Sequence, residues 1–396
     1  MDTLSMIRLM LFDDVMREYT GRANHLEDTF SFLNRSSLTA CARVRAVLEE
    51  WFTRYPDKHK PELRRSFRTD FSVAFFELVF HELLLRLGHK VDVHPQVSSL
   101  HGKRPDFFAF HPTTGSVFLE VTVVSDESRE EKAKARVLST LFDQINQMKI
   151  QDYFLSITEI RNPTGKQPSA NKVKQFILSQ LATLDYDTLA SPSQLKVFDG
   201  LPRWTYKQDL LEIDFAVIPV RPESRGILDH AFIGKYPSMF RWGGTDNAIR
   251  KALKKKASKY GQLNTPFIIA INCTSAFGTD QIDEMQALFG TEEFVLTNPK
   301  TEPSFRRKPD GIWLGPNGPQ NKKISGAIIG NVILWNLPKS DVRLFQNPWA
   351  DHPYKGLLLR LPQARVIDGQ LKYLPGESLG SILSLDDGWP GQLFDN

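Results

Sequence analysis

Residues 104–124 read RPDFFAFHPTTGSVFLEVTVV, two apolar runs joined by the turn-forming segment PTTG. Both runs are rich in β-branched and aromatic residues, and the short connection predicts a hairpin of 104–111 with 116–124. One acid interrupts each run: Asp106 at the start of the first, directly after Pro105, and Glu120 in the middle of the second. Pro105 cannot donate to a ladder and so favours a strand start or an edge. On the second strand, alternation puts Phe118, Glu120, Thr122 and Val124 on one face. The hairpin brings Asp106 and Glu120 side by side, where two carboxylates repel unless a cation lies between them. A hard ion with oxygen ligands, Mg²⁺ or Mn²⁺, fits that donor set.

Upstream, FFELVFHELLLRLG (75–88) belongs to a largely buried helix of about Thr69 to Leu87, which Gly88 is expected to stop. It carries a third acid in an apolar setting, Glu77, and a second helix acid, Glu82. An isolated carboxylate in such surroundings is costly unless paired or metal-bound. HKVDVHPQV (89–97) reads as a further strand, a charged helix covers about 127–148, and DYFLSITEI (152–160) is a fourth strand. The order α-β-β-β-α-β predicts an α/β fold with a mixed sheet of four or five strands flanked by helices. Residues 1–66 form an N-terminal helical region, and 67–275 form the core, with an insertion at about 161–245. A β-rich extension, 276–396, ends in an Asp-Gly hairpin near 365–374. The basic segment KHKPELRRSFR (58–68) is read as a linker.

These residues resemble the motif of the PD-(D/E)XK nuclease superfamily, which has the restriction-endonuclease-like fold. That motif places an acid on the first helix, Pro-Asp on one strand and Asp/Glu-x-Lys on the next. The matching residues are Glu77, Pro105-Asp106 and Glu120, and the resemblance covers about 70–160, extending at most to 273. It implies a metal-dependent endonuclease acting on DNA, with Asp106 and Glu120 holding Mg²⁺ or Mn²⁺ and Glu77 supporting the metal. Roles in restriction, phage defence or DNA repair, and a homodimer that cuts both strands, are what the resemblance suggests for its biology. The sequence departs from the motif at one place: Thr122 stands where the lysine belongs. A hydroxyl can orient a group but cannot supply positive charge. Lys256 is the first candidate substitute, because Ile249, Leu253 and Tyr260 mark an apolar stripe on helix 246–261 and Lys256 falls on it. Lys256 with Tyr260 also resembles the Gln-x-x-x-Tyr helix of some superfamily members. Lys132 and Lys134 are rivals. Lys103 and Arg104, with Lys251, Lys255, Lys259 and Tyr260, are the candidate nucleic-acid contacts.

Structural readings compete with each assignment. Glu77 could pair with Arg86 or an arginine of 64–68, Asp106 could cap a turn, and Glu120 could form a structural salt bridge. A catalytically degenerate nuclease-fold module that binds nucleic acid or a protein partner is the alternative to an enzyme, and RNA the alternative to DNA. Composition sets looser bounds. Across 396 residues the net charge is +4, which permits a nucleic-acid partner without requiring one. Two cysteines, Cys41 and Cys273, without CxxC spacing argue against a disulfide framework or a zinc-cysteine site. The nine histidines show no HxxxH or HxH spacing, so no histidine-metal centre is expected. No segment resembles a signal peptide or a spanning helix, which points to a cytoplasmic protein.

Overall fold

The computed structural model describes residues 9–394 except 25–26, 98–101, 126–137, 139, 143, 162–167, 191–200, 223–224, 227–231, 236–244, 262, 275–278, 280 and 296–303. Lys132 and Lys134 lie outside the described residues. The chain divides into two units: residues 1–21, 28–126 and 243–396 make the first, and 22–27 with 127–242 the second.

The first unit is mixed α/β. Helices α1 (Thr29–Arg35), α2 (Thr39–Arg54), α3 (Lys60–Thr69) and α4 (Phe71–Arg86) lead into strands β1 (Lys90–Val93), β2 (Phe107–His111) and β3 (Gly115–Val124). Later come α5 (Thr245–Ala257), β4 (Phe267–Cys273) and four more strands, β5 (Gly326–Asn331), β6 (Asp341–Gln346), β7 (Gln363–Ile367) and β8 (Gln370–Leu374). These eight strands form one sheet whose spatial order is the chain order. β3 runs parallel to β4 and β4 parallel to β5, while β1–β2–β3 is an antiparallel meander. The sheet is therefore wider than the four or five strands expected. The C-terminal segment supplies half of it, and strand 152–160 belongs elsewhere.

Helices flank the sheet on both faces. Val117, Leu119 and Val121 of β3 join the core built by α2 and α4, and the alternate residue Phe118 packs with Ile249 and Leu253 of α5. β4, FIIAINC, is buried at all seven positions, as a strand covered on both faces must be. α4 starts at Asp70, whose side chain accepts the Val73 N–H, and stops at Gly88, whose φ of 84° is readily reached only without a side chain. Inside α4, Glu82 is fully buried and bracketed by Arg54 (2.6 and 3.0 Å) and Arg86 (2.7 Å). Its task is structural. Arg86→Ala should cost about 1–3 kcal/mol in urea denaturation, because a buried carboxylate loses one donor while the Arg54 fork remains. An unchanged midpoint would show that Arg54 alone satisfies Glu82.

The segment read as a basic linker is instead helix α3. Pro61 sits in its first turn, Leu63 and Phe67 are buried one turn apart, and Arg64 and Arg68 pair with Asp13 at 2.8 and 2.7 Å. Those two arginines are thus spoken for.

The second unit carries its own four-stranded sheet, in the order Arg203–Gln208, Leu211–Pro219, Tyr153–Arg161, Ile233–Lys235. Its core includes Leu155, Ile157, Ile213, Phe215 and Val217, packed with Val173 and Ile177 of the helix Ala170–Leu181. The expected strand 152–160 lies here, so this unit opens upstream of the insertion boundary near 161. Among the described residues no helix is long and apolar enough to cross a membrane.

Candidate active site

The predicted hairpin forms. Phe107 lies opposite Leu119, and one step beyond that pair the Asp106 side chain takes over from the backbone: its Oδ2 accepts the Val121 N–H at 2.7 Å. Asp106 is thereby fixed beside Glu120 at the end of the β2–β3 ladder. Pro105 has no N–H to donate across the ladder, and the Val121 carbonyl is met by the Lys256 ammonium instead.

Glu120 has no exposure to solvent. Its Oε1 accepts from Lys256 Nζ at 2.5 Å and from Lys259 Nζ at 2.6 Å, and its Oε2 accepts from the Tyr260 hydroxyl. The Lys256 ammonium also reaches the Val121 carbonyl at 3.2 Å. The Tyr260 oxygen lies 2.8 Å from the carbonyl oxygen of Arg104, linking the turn after α5 to the segment just before Asp106. Two ammonium groups and a hydroxyl offset the desolvation of one carboxylate. α5 delivers them because Ile249, Leu253 and Ala257 are buried against β3 and β4, which aims the next turn at Glu120. Lys256 therefore reaches Glu120 from α5, while Thr122 stays two residues along β3, partly buried and opposite Ile271.

Lys259 departs from its expected role. Read as a solvent- or phosphate-facing residue, it lies on Glu120, because the chain turns after Ala257 and swings Lys259 and Tyr260 inward together. Lys251 and Lys255 are exposed on α5, and Lys103 and Arg104 are exposed ahead of β2.

Among the described residues, Glu77 pairs with no arginine. The Tyr55 hydroxyl, at the end of α2, donates to its Oε1 at 2.5 Å. Nothing in EEWFTRY distinguishes Tyr55 from a core aromatic, so sequence reading missed it. Burial holds the Glu77 carboxyl above the usual range, against the hydrogen bond from Tyr55 and the nearby His94, with Glu62 and Glu120 adding to the rise. Asp106 is pushed up to about 7, first by burial, then by the charges of Glu120 and Glu77, with Lys256 opposing. The three acids thus feel one another as a cluster. They do not close into a cage: among the described residues, the one set of three with ligand atoms mutually within 4.8 Å is His59, Glu62 and His94.

Comparison with known proteins supplies no relative: no family model matches, no curated protein matches, and no solved structure matches.

Proposed function

We propose that this protein is a metal-dependent nuclease that hydrolyses DNA phosphodiester bonds, with a restriction-endonuclease-like core in which a lysine from helix α5 replaces the one absent at Thr122. The observation that carries this reading is the Lys256 ammonium 2.5 Å from the buried Glu120 carboxylate. Like-charged carboxyls held together at Asp106, Glu120 and Glu77, one of them with its affinity for a proton raised to about pH 7, make a place where a divalent cation would be welcome. Asp106 and Glu120 would hold Mg²⁺ or Mn²⁺, with Glu77 in support through its link to Tyr55. The bound metal would acidify a water and offset charge on the phosphorane. Lys256 would set positive charge beside a bound phosphate, and Thr122 would offer a hydroxyl on the same strand face. Exposed Lys103, Arg104, Lys251 and Lys255 would follow the phosphate backbone.

A second reading has its own support. Lys256, Lys259 and Tyr260 already engage both Glu120 oxygens, which suits a degenerate module that binds nucleic acid without cutting it. Plasmid cleavage with Mg²⁺ or Mn²⁺, by wild type and Asp106→Ala, separates the two. The nuclease reading expects metal-dependent nicking that falls on the order of 10²-fold or more in the variant. DNA binding by wild type with no cleavage in either metal would leave the binding module standing. The same assay on a structured RNA decides the substrate.

A further inference from the structure

α3 begins at His59, its N-cap residue, and Glu62 follows in the first turn, so the two side chains share one side of the helix. His94 comes from a different element, directly after β1. Its backbone is left-handed, φ 51°, a region sparsely used by non-glycine residues, and its N–H donates to the Asp106 carbonyl at 2.9 Å. The His59 and His94 rings meet edge to face, with centroids 5.1 Å apart. The Nε2 of His59 is buried and, among the described residues, has no hydrogen-bond partner. A buried imidazole nitrogen left without a partner is unfavourable unless something fills its lone pair or takes its proton.

From this geometry we infer a second metal site, His59–Glu62–His94, for a transition-metal dication of the Zn²⁺ class. The ligand atoms lie within 4.8 Å of one another, close to the spacing that bonds of ~2.1 Å to one shared ion require. Two imidazole nitrogens and one carboxylate oxygen suit Zn²⁺ and its first-row neighbours, whereas Mg²⁺ prefers oxygen throughout. Three protein ligands leave a fourth position for water or a substrate oxygen. The site does not depend on the nuclease reading, since it uses none of that reading's ligands. It is tied to them by the His94 N–H on the Asp106 carbonyl and by the charges of His94 and Glu62 acting on Glu77. No regular histidine spacing betrays it in the sequence, because the third ligand comes from the far side of α4.

Co²⁺ is a usable probe, because its visible absorption reports nitrogen ligation and low coordination number. Full-length protein stripped with chelator should take up one Co²⁺ per chain with intense visible bands. One equivalent of Zn²⁺ should displace it, and excess Mg²⁺ should leave it in place. His59→Gln and His94→Asn should each weaken Co²⁺ binding by about 100-fold or more, since even residues behind metal ligands are worth 10–100-fold. Asparagine is chosen at His94 because it tolerates a left-handed backbone. Glu62→Gln, on an exposed turn, tests the site without touching the core and should weaken binding as well. Asp106→Asn should retain the bands, which separates this site from the carboxylate cluster. Absence of intense bands in the wild type would overturn the proposal, as would bands that survive unchanged in all three ligand variants.

Discussion

Lys256→Ala should lower metal-dependent DNA cleavage on the order of 10²–10³-fold, the cost of losing one charge-stabilising donor at a reacting phosphate. DNA binding should change little, because Lys251 and Lys255 remain exposed on the same helix. Lys259 and Tyr260 still hold Glu120, so the buried carboxylate keeps two partners and the fold should survive. Lys259→Ala is the paired measurement. If Lys259 rather than Lys256 supplies the charge, cleavage falls in that variant and not in Lys256→Ala. The sharper test moves the lysine back along the chain. Thr122 shares the β3 face with Glu120 and lies two residues on, the position at which the nuclease motif carries its lysine. Lys256→Ala combined with Thr122→Lys should recover at least about tenfold of the lost rate if the ammonium alone is what the site lacks. Cleavage by Lys256→Ala and Lys259→Ala both equal to wild type would remove lysine from the proposed mechanism.

How much of this was legible in the sequence depends on the range of the interaction. The β2–β3 hairpin, the stop at Gly88 and the Asp-Gly turn at Asp368-Gly369 are local features, written in turn residues and alternation, and each appears where expected. Lys256 was legible because helix periodicity placed it on the buried stripe of α5. Lys259 was not, because it lies past the last helical residue, where the period of 3.6 no longer says which way a side chain points. The width of the sheet was hidden for a related reason. β5 and β6 pair with each other and, through β5, with β4 from far along the chain, and no local pattern announces a parallel partner. The α3 segment was misjudged from its charge. Leu63 and Phe67, a single apolar pair one turn apart, carry the helix, and the surrounding arginines disguise it.

Asp106→Asn should make the metal-free protein more stable than wild type at pH 8, by up to about 4 kcal/mol, and no more stable at pH 4. The sign follows from the direction of the shift. The Asp106 carboxyl titrates near 7 when folded, well above the ~3.9 of an unfolded aspartate. Below the unfolded value both states carry the proton, and its contribution to stability is fully present. As pH rises toward 7 the unfolded chain ionises first, so that contribution is progressively lost. Above 7 the folded protein must hold a charged, largely desolvated carboxylate near the charges of Glu120 and Glu77. Asparagine removes the charge and keeps an oxygen for the Val121 N–H, so the hairpin geometry need not change. Saturating Mg²⁺ should reverse the ranking at pH 8, since a cation that binds only the folded wild type adds stability in proportion to the logarithm of its concentration over Kd. Urea denaturation of both proteins at pH 4 and pH 8, with chelator and with Mg²⁺, reads all four terms. A variant less stable than wild type at pH 8 in chelator would show that Asp106 is compensated in the metal-free fold, and the electrostatic case for a cation at this site would fall with it.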